Sequence, residues 1–345
     1  MSRTTQVITV DPNRPDPDAI EYAAELLRRG KLVAFATETV YGLGADATNP
    51  EAVARIFEAK GRPSFNPLIV HADSTAMARS CVAEWPEIAE TLALHFWPGP
   101  LTLVLPRSAI IPDIVTAGQA TVGVRIPRPL VARDLIERTS RPIAAPSANR
   151  STGISPTLAS HVLEDLDGRI DLILNSGQTD VGLESTVVDL TTRQPHILRP
   201  GPITANDLER LVGPLRVHEV APSSANPSAP MTSPGQSAVH YAPRTRTVRV
   251  DDPDDLARFT WPESAALVVL GTPHLPSLPG SLTQRFHLAD PETAAHDLYV
   301  VLHQCDTSAT SLIVILPPPD SPEWHTIRDR IWRASRPWND PSSGA

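Results

Sequence analysis

Apolar positions along the chain follow two alternating patterns. Short unbroken apolar runs that end in hydroxyls, glycines or prolines have the length of buried strands, whereas longer stretches with apolar residues three and four apart have the period of helices packed on a sheet. The clearest run is Leu32-Val33-Ala34-Phe35-Ala36, and it stops in the polar turn Thr37-Glu38-Thr39-Val40-Tyr41-Gly42-Leu43-Gly44. Strands are expected at residues 32–36, 68–70, 101–105, 121–126, 142–145, 172–174, 186–190 and 196–198, with helices at 19–29, 49–59, 130–138 and 158–166. The first two helices carry start and stop signals. Asp16-Pro17-Asp18 and Asn49-Pro50 supply caps and an early proline, and Gly30 ends the first. Helices interleaved with strands favour an α/β fold, a twisted open mixed sheet with flanking helices, over an all-β sandwich.

From about residue 212 to 243 the apolar period disappears and Pro, Ser, Ala and Asn dominate, the composition of a linker. Beyond it the alternation resumes, with strands expected at 247–250, 265–270 and 311–316 and helices at 291–303 and 322–334. The organisation expected is a catalytic α/β domain over 1–213, a linker over 214–243 and a smaller C-terminal α/β domain over 244–345.

With 345 residues, 41% of them hydrophobic, the chain is long enough for two ordinary cores. No apolar run reaches membrane-spanning length and Met1-Ser2-Arg3-Thr4-Thr5 lacks the apolar core of a signal peptide, so a cytoplasmic protein without a membrane partner is expected. Cys81 and Cys305 are far apart with no Cys/His cluster around them, which argues against a disulfide scaffold or zinc ribbon. A net charge of −9 argues against stable nucleic-acid binding, which rests on neutralising phosphates with Lys and Arg. Arginine carries nearly all the positive charge. Lysine occurs only at Lys31 and Lys60, so a lysine inside a loop motif stands out.

That motif is Lys60-Gly61-Arg62-Pro63-Ser64-Phe65-Asn66-Pro67, two cations on a Gly/Pro-stiffened loop entering a strand that closes on His71, an arrangement suited to phosphates. Other strands end in Trp97-Pro98-Gly99-Pro100-Leu101-Thr102, Arg125-Ile126-Pro127, Ala145-Pro146-Ser147-Ala148-Asn149, Glu184-Ser185-Thr186 and Leu198-Arg199-Pro200-Gly201. Taken singly, a strand-end Thr or Ser is a turn former, Arg125 or Arg199 a member of an ion pair, His71 a hydrogen-bonded histidine and Trp97 packing. Their accumulation before the linker points to a ligand site beyond strand ends, where open α/β sheets bind ligands.

The ordered set Thr37-Glu38-Thr39-Val40-Tyr41-Gly42-Leu43, Lys60-Gly61-Arg62-Pro63 with Asn66-Pro67-Leu68, Trp97-Pro98-Gly99-Pro100-Leu101-Thr102, Arg125-Ile126-Pro127 and Pro146-Ser147-Ala148-Asn149 closely resembles the YrdC-type domain of threonylcarbamoyl-AMP synthases. Ser233-Pro234-Gly235 and His240-Tyr241-Ala242-Pro243 resemble the linker of the long, two-domain form, and the C-terminal domain would then be Rossmann-like. There the likeness rests mainly on the helix containing Leu298-Tyr299, on Asp306 and on the Arg328-Asp329-Arg330 helix, whose lead-in is Ser321-Pro322-Glu323-Trp324 instead of the usual Gly-rich one.

The resemblance implies a nucleotidyltransferase that makes threonylcarbamoyl-AMP and diphosphate from L-threonine, bicarbonate and ATP. The intermediate would be handed to the machinery that threonylcarbamoylates an adenosine in tRNA. It also implies that Thr39, His71, Arg125, Ala145 and Ser185 contact threonine, and that Arg62, Asn66, Thr121, Ser147, Ser155, Arg199 and Tyr241 contact ATP. Lys60 would join Arg62 on the phosphates as the catalytic pair, stabilising charge in the transition state, and neither substitution to Ala is expected to disturb the fold. Magnesium is expected with ATP, with no dedicated protein ligand unless it is Glu38. The linker at 233–243 would fold over the nucleotide as a lid carrying Tyr241. Three other readings compete. They are a double-stranded RNA-binding module, a carbamoyltransferase of the hydrogenase-maturation kind, whose zinc-binding cysteines are missing from this sequence, and a threonine or nucleotide sensor without turnover.

Overall fold

The computed structural model describes residues 4–217, 241–278, 282–307 and 309–338. The chain divides into two units, Met1–Ser151 with Ser155–Ser237 and Thr152–Ile154 with Ala238–Ala345.

In the first unit both faces of the sheet are covered, which is why its strands read as unbroken apolar runs and not as alternation. Along Val33–Ala36, Val33 and Phe35 pack with Ile20, Ala24 and Leu27 of helix Pro17–Arg28 and with Val131, Leu135 and Ile136 of helix Leu130–Thr139. Ala34 and Ala36 face the opposite cluster, with Val53, Ile56 and Phe57 of helix Pro50–Lys60. The caps read from the sequence are in place: Asp16 accepts the Asp18 N–H, and Asn49 accepts those of Glu51 and Ala52.

Among the described residues the sheet has eleven strands. Their spatial order is Gln6–Thr9, Leu172–Asn175, Val33–Ala36, Tyr41–Asp46, Ile143–Ala144, Ile69–His71, Thr121–Arg125, Leu101–Pro106, Thr186–Asp189, His196–Arg199 and Arg216–Val217. Parallel and antiparallel neighbours alternate irregularly, so the sheet is mixed, as expected.

The stretch expected as one polar turn, 37–44, is a turn only at 37–40. Tyr41–Asp46 is a strand antiparallel to Val33–Ala36, with Ala36 opposite Tyr41. The Thr37 hydroxyl closes the turn by donating to the Val40 carbonyl at 2.7 Å and accepting the Thr39 and Val40 N–H groups. Gly44 is demanded by close approach, since a Cβ there would lie 2.8 Å from the Phe35 ring. Strand Gln6–Thr9 and helices Thr75–Ser80, Glu87–Phe96 and Ala205–Val212 were not expected. The strand is an edge with three of four residues exposed, so it lacks an apolar run. Arg216–Val217 lies inside the stretch read as linker and pairs in parallel with His196–Ile197.

The second unit is a parallel five-stranded sheet in the order Leu282–Leu288, Ala265–Leu270, Leu312–Leu316, Thr247–Arg249 and Arg336–Pro337. Helices Pro291–Cys305 and His325–Ala334 accompany it, the latter after a short 3-10 turn at Pro322–Trp324. Leu282–Leu288 escaped the sequence reading because exposed residues alternate along this edge strand.

Candidate active site

Parallel pairing of Ile69–His71 with Thr121–Arg125 puts His71 directly beside Arg125, each the last residue of its strand. The hairpin turn at 37–40 supplies the third wall. Arg125 is 3% exposed; its Nη2 lies 2.7 Å from Glu38 Oε1 and its Nη1 donates to Thr39 Oγ1 at 3.2 Å. Its Nε is buried and has no partner among the described residues, and the same holds for His71 Nδ1. A buried donor without a partner costs about 1–3 kcal/mol, so such atoms mark places where a ligand completes the bonding. Burial, reinforced by the Arg125 charge, lowers the His71 pKa to about 3, so the imidazole is neutral at physiological pH. Burial also lowers the pKa of Arg125; the Glu38 charge opposes this and the Arg199 charge adds to it.

Arg199 completes this end of the site. Its Nε and Nη2 donate to the Ser185 carbonyl at 3.0 and 2.8 Å, and Nη2 reaches Ser185 Oγ at 3.0 Å. Ser185 Oγ lies 2.8 Å from Thr102 Oγ1, a residue of the Trp97–Thr102 motif to which the sequence reading gave no ligand. Gly201 is required here, because a Cβ would fall 2.3 Å from the Thr186 nitrogen. Ala145 donates its N–H to the Ile69 carbonyl at 3.0 Å, tying the adjoining strand to the same edge.

The phosphate motif begins at the end of helix Pro50–Lys60, where Gly61 takes the left-handed φ of 60° and turns the chain out. Arg62 bends back on its loop, Nε to the Asn66 carbonyl at 3.4 Å and Nη2 to the Pro67 carbonyl at 3.1 Å, while Asn66 Oδ1 is buried without a partner. Pro67 and Thr121 line one narrow cleft over Gly123, with Thr102 and Gln119. Thr121 starts the strand that Arg125 ends, about 13 Å away along it. This strand thus carries one group expected on ATP at its start and one expected on threonine at its end.

Lys60 is 2% exposed. Its Nζ donates to the Ser147 carbonyl at 2.6 Å, to the Asn149 carbonyl and to Asn149 Oδ1 at 3.4 Å. The ammonium clamps the 146–151 loop, which also runs along Tyr41–Asp46 through Leu43 N–H to the Pro146 carbonyl and Ala148 N–H to the Tyr41 carbonyl. Burial, then the Arg62 charge, holds its pKa well below the ordinary lysine value, against the pull of Asp165. Lys60 is therefore part of the interior, and the expectation that removing it would leave the fold undisturbed is corrected. Ser147 Oγ donates to Asn149 Oδ1 at 2.6 Å and Ser155 Oγ to Glu184 Oε1 at 2.6 Å.

Two residues considered as ligand contacts have their side chains engaged within the protein. Glu38, considered for magnesium, has Oε1 on Arg125 and Oε2 accepting the Arg128 N–H at 3.0 Å, so both oxygens are committed and it does not fit as a metal ligand. Tyr241, considered for ATP, is packed within the second unit. It stacks on Tyr299 with ring centroids 5.9 Å apart, and the Arg330 guanidinium lies 5.0 Å from its ring. Its φ is 62°. Residues 233–240 of the expected lid lie outside the described residues.

Buried arginines, a neutral histidine and unpartnered polar atoms at the ends of a mixed sheet define an anion-binding α/β domain of the YrdC type, joined to a smaller parallel α/β unit. A family model described as "Telomere recombination", for Sua5, YciO and YrdC proteins, matches residues 25–201, and one described as "Threonylcarbamoyl-AMP synthase, C-terminal domain" matches 203–336. The threonylcarbamoyl-AMP synthase of Pyrococcus abyssi is 50% identical over 239 residues, covering 69% of this chain and 70% of that protein. That of Bacillus subtilis is 47% identical over 237 residues, 68% of this chain and 67% of that protein. The structure of P. abyssi Sua5 complexed with L-threonine superposes with a TM-score of 0.85 at 38% identity, over 96% of this chain and 99% of that one. The chain belongs to the threonylcarbamoyl-AMP synthase family in its two-domain form.

Proposed function

We infer that this protein is an L-threonylcarbamoyladenylate synthase, a nucleotidyltransferase that joins L-threonine, bicarbonate and ATP into threonylcarbamoyl-AMP and releases diphosphate for tRNA modification. Its naming relatives and the threonine-bound neighbour support the reading. The observation in this chain that carries it is Arg125, buried, held at both Nη atoms and unpartnered at Nε beside the neutral His71.

The chemistry uses these residues as follows. Bicarbonate supplies carbon dioxide; the threonine amine adds to its carbon and loses a proton, giving a carbamate. A carbamate oxygen then bonds to the α-phosphorus of ATP while the bond from that phosphorus to the bridging oxygen breaks, and diphosphate leaves. Both reactants are anionic, so the site must hold them in line against their repulsion. Arg125 takes the threonine carboxylate, with Thr39, Ala145 and Ser185 around it. His71, with a pKa of about 3, is not an imidazolium acid at neutral pH and is too weak a base to take a proton, so it serves as a neutral hydrogen-bonding partner. Arg62, Asn66, Thr121, Ser147, Ser155 and Arg199 line the nucleotide's path. Arg62 stabilises charge developing on the phosphates, and Lys60 supports it from behind by holding the loop that bears Ser147 through the Ser147 and Asn149 carbonyls. The magnesium expected with ATP travels on the triphosphate, with Glu38 already committed, and no step here passes through it.

Among the described residues no helix is long and apolar enough to cross a membrane. The cytoplasm is the compartment where ATP, bicarbonate and tRNA meet, and hand-over to the tRNA threonylcarbamoyl transferase machinery would occur there. Diphosphate release tests the reading, measured with ATP, magnesium and bicarbonate and with L-threonine, L-serine or no amino acid. Release that needs both threonine and bicarbonate is expected. A folded protein that binds ATP but shows no threonine-dependent release would overturn it in favour of a sensor.

A further inference from the structure

Glu38 contacts no substrate in the scheme above, yet it is pinned from three sides. It is 0% exposed; its side chain holds Arg125 and the Arg128 N–H, and its own carbonyl accepts the Val181 N–H at 2.8 Å. The strand Thr121–Arg125, the turn after it and the segment leading to strand Thr186–Asp189 thus converge on one turn residue.

A carboxylate buried to neutralise a guanidinium for stability alone is best placed to engage it fully, because an ion pair in the interior is worth its desolvation only when the remaining donors are satisfied. Glu38 does something narrower. It takes one Nη of Arg125, Thr39 takes the other, and Nε stays open. Arg199 stands near enough for its charge to oppose that of Arg125. Without Glu38, Arg125 would be free to swing its fork toward any anion in reach, the triphosphate included.

We propose that Glu38 is the positioning residue of the amino-acid subsite, holding Arg125 so that its Nε side faces the substrate carboxylate and is withheld from the nucleotide's phosphates. The proposal rests on the threonine reading, and its test separates the two. Threonine-dependent diphosphate release by the unaltered full chain, compared with threoninamide, which lacks the carboxylate, checks that reading by itself.

Glu38→Gln is isosteric and uncharged; Glu38→Asp keeps the charge on a shorter stem. For Glu38→Gln the threonine KM is expected to rise about tenfold, with kcat at saturating threonine within about threefold and the ATP KM unchanged, the pattern of lost binding without lost chemistry. The preference for threonine over threoninamide should shrink by a similar factor, and Glu38→Asp should restore part of both. A merely structural role would raise both KM values together. Circular dichroism reports whether each variant is folded. If both substitutions unfold the first unit, Arg128→Pro, which removes the N–H donated to Glu38 along with the exposed Arg128–Asp180 ion pair, carries the same test with a smaller rise, with Arg128→Ala as the control that loses the ion pair alone. Unchanged threonine KM and unchanged discrimination in the folded variants, or parallel loss of both substrates, would overturn the proposal.

Discussion

Arg125 in the first unit and Arg330 in the second are both almost wholly buried, at 3% and 0% exposure, and their surroundings differ in kind. Arg330 lies against the carboxylate of Asp329 and over the ring of Tyr241, and Asp329 also takes Arg333 at 3.0 Å. Here the guanidinium charge is met by a carboxylate and a ring of the same unit. Arg125 has a carboxylate too, but its Nε is left over, and the neighbouring His71 Nδ1 and the loop's Asn66 Oδ1 are left over as well. Burial of charge therefore does not by itself mark a site. What sets Arg125 apart is that the unfinished bonding belongs to the buried guanidinium itself and to the histidine paired beside it.

The comparison breaks most sharply at Arg125→Ala. This should lower kcat/KM for threonine by about a thousandfold and destabilise the fold by about 3–5 kcal/mol, since Glu38 is left buried and unpaired. Adding Glu38→Gln should recover much of the stability, read from chemical denaturation, and none of the activity. Recovery of activity would place Arg125 outside the substrate's reach. Lys60→Met comes next. A drop of about a hundredfold in kcat/KM for ATP is expected, together with a loss of about 1.5–3 kcal/mol of stability, because the carbonyls of Ser147 and Asn149 lose a charged donor. A variant as stable as the parent would show that the clamp is dispensable.

Arg330→Met tests the second unit's network and should cost about 2–3 kcal/mol, less than the loss at Arg125 because Asp329 keeps Arg333. Calorimetry should show the lower melting temperature, and the threonine KM should hold within about twofold. The smallest effect is on pH dependence. The unfolded chain's histidine takes a proton near 6.5 and the folded His71 only near 3, so between these values the unfolded state binds more protons. His71 then contributes nothing to pH dependence above about 6.5, and stability falls as the pH drops toward 3, by at most about 1.4 kcal/mol per unit. His71→Gln should flatten that part of the curve in denaturation experiments run between pH 4 and about 7.

Much of this arrangement could be read along the chain. The buried strands around Phe35, Leu103, Ile173 and Val268 announced themselves because a sheet covered on both faces leaves no polar alternation to confuse with a surface. The residues at their ends stood out as hydroxyls, amides and guanidiniums following apolar runs. Edge strands such as Gln6–Thr9 and Leu282–Leu288 were missed, since an exposed edge writes no distinctive pattern. Tyr41–Asp46 was taken for part of a turn because its glycines, which look like flexibility, are there for close contact with Phe35 and Ala145.

The sequence by itself determined the two-unit α/β organisation and the family. Local periodicity and motif order are one-dimensional properties, and they survive without knowledge of what packs against what. Only the tertiary structure decided what each polar group is free to do. Lys60 and Glu38 read as phosphate and metal contacts in the sequence, but folding gives one to the carbonyls of Ser147 and Asn149 and the other to Arg125 and Arg128. A side chain's hydrogen-bonding capacity is divided among neighbours brought together from distant parts of the chain, and the remainder left for a ligand is known only when that division is complete.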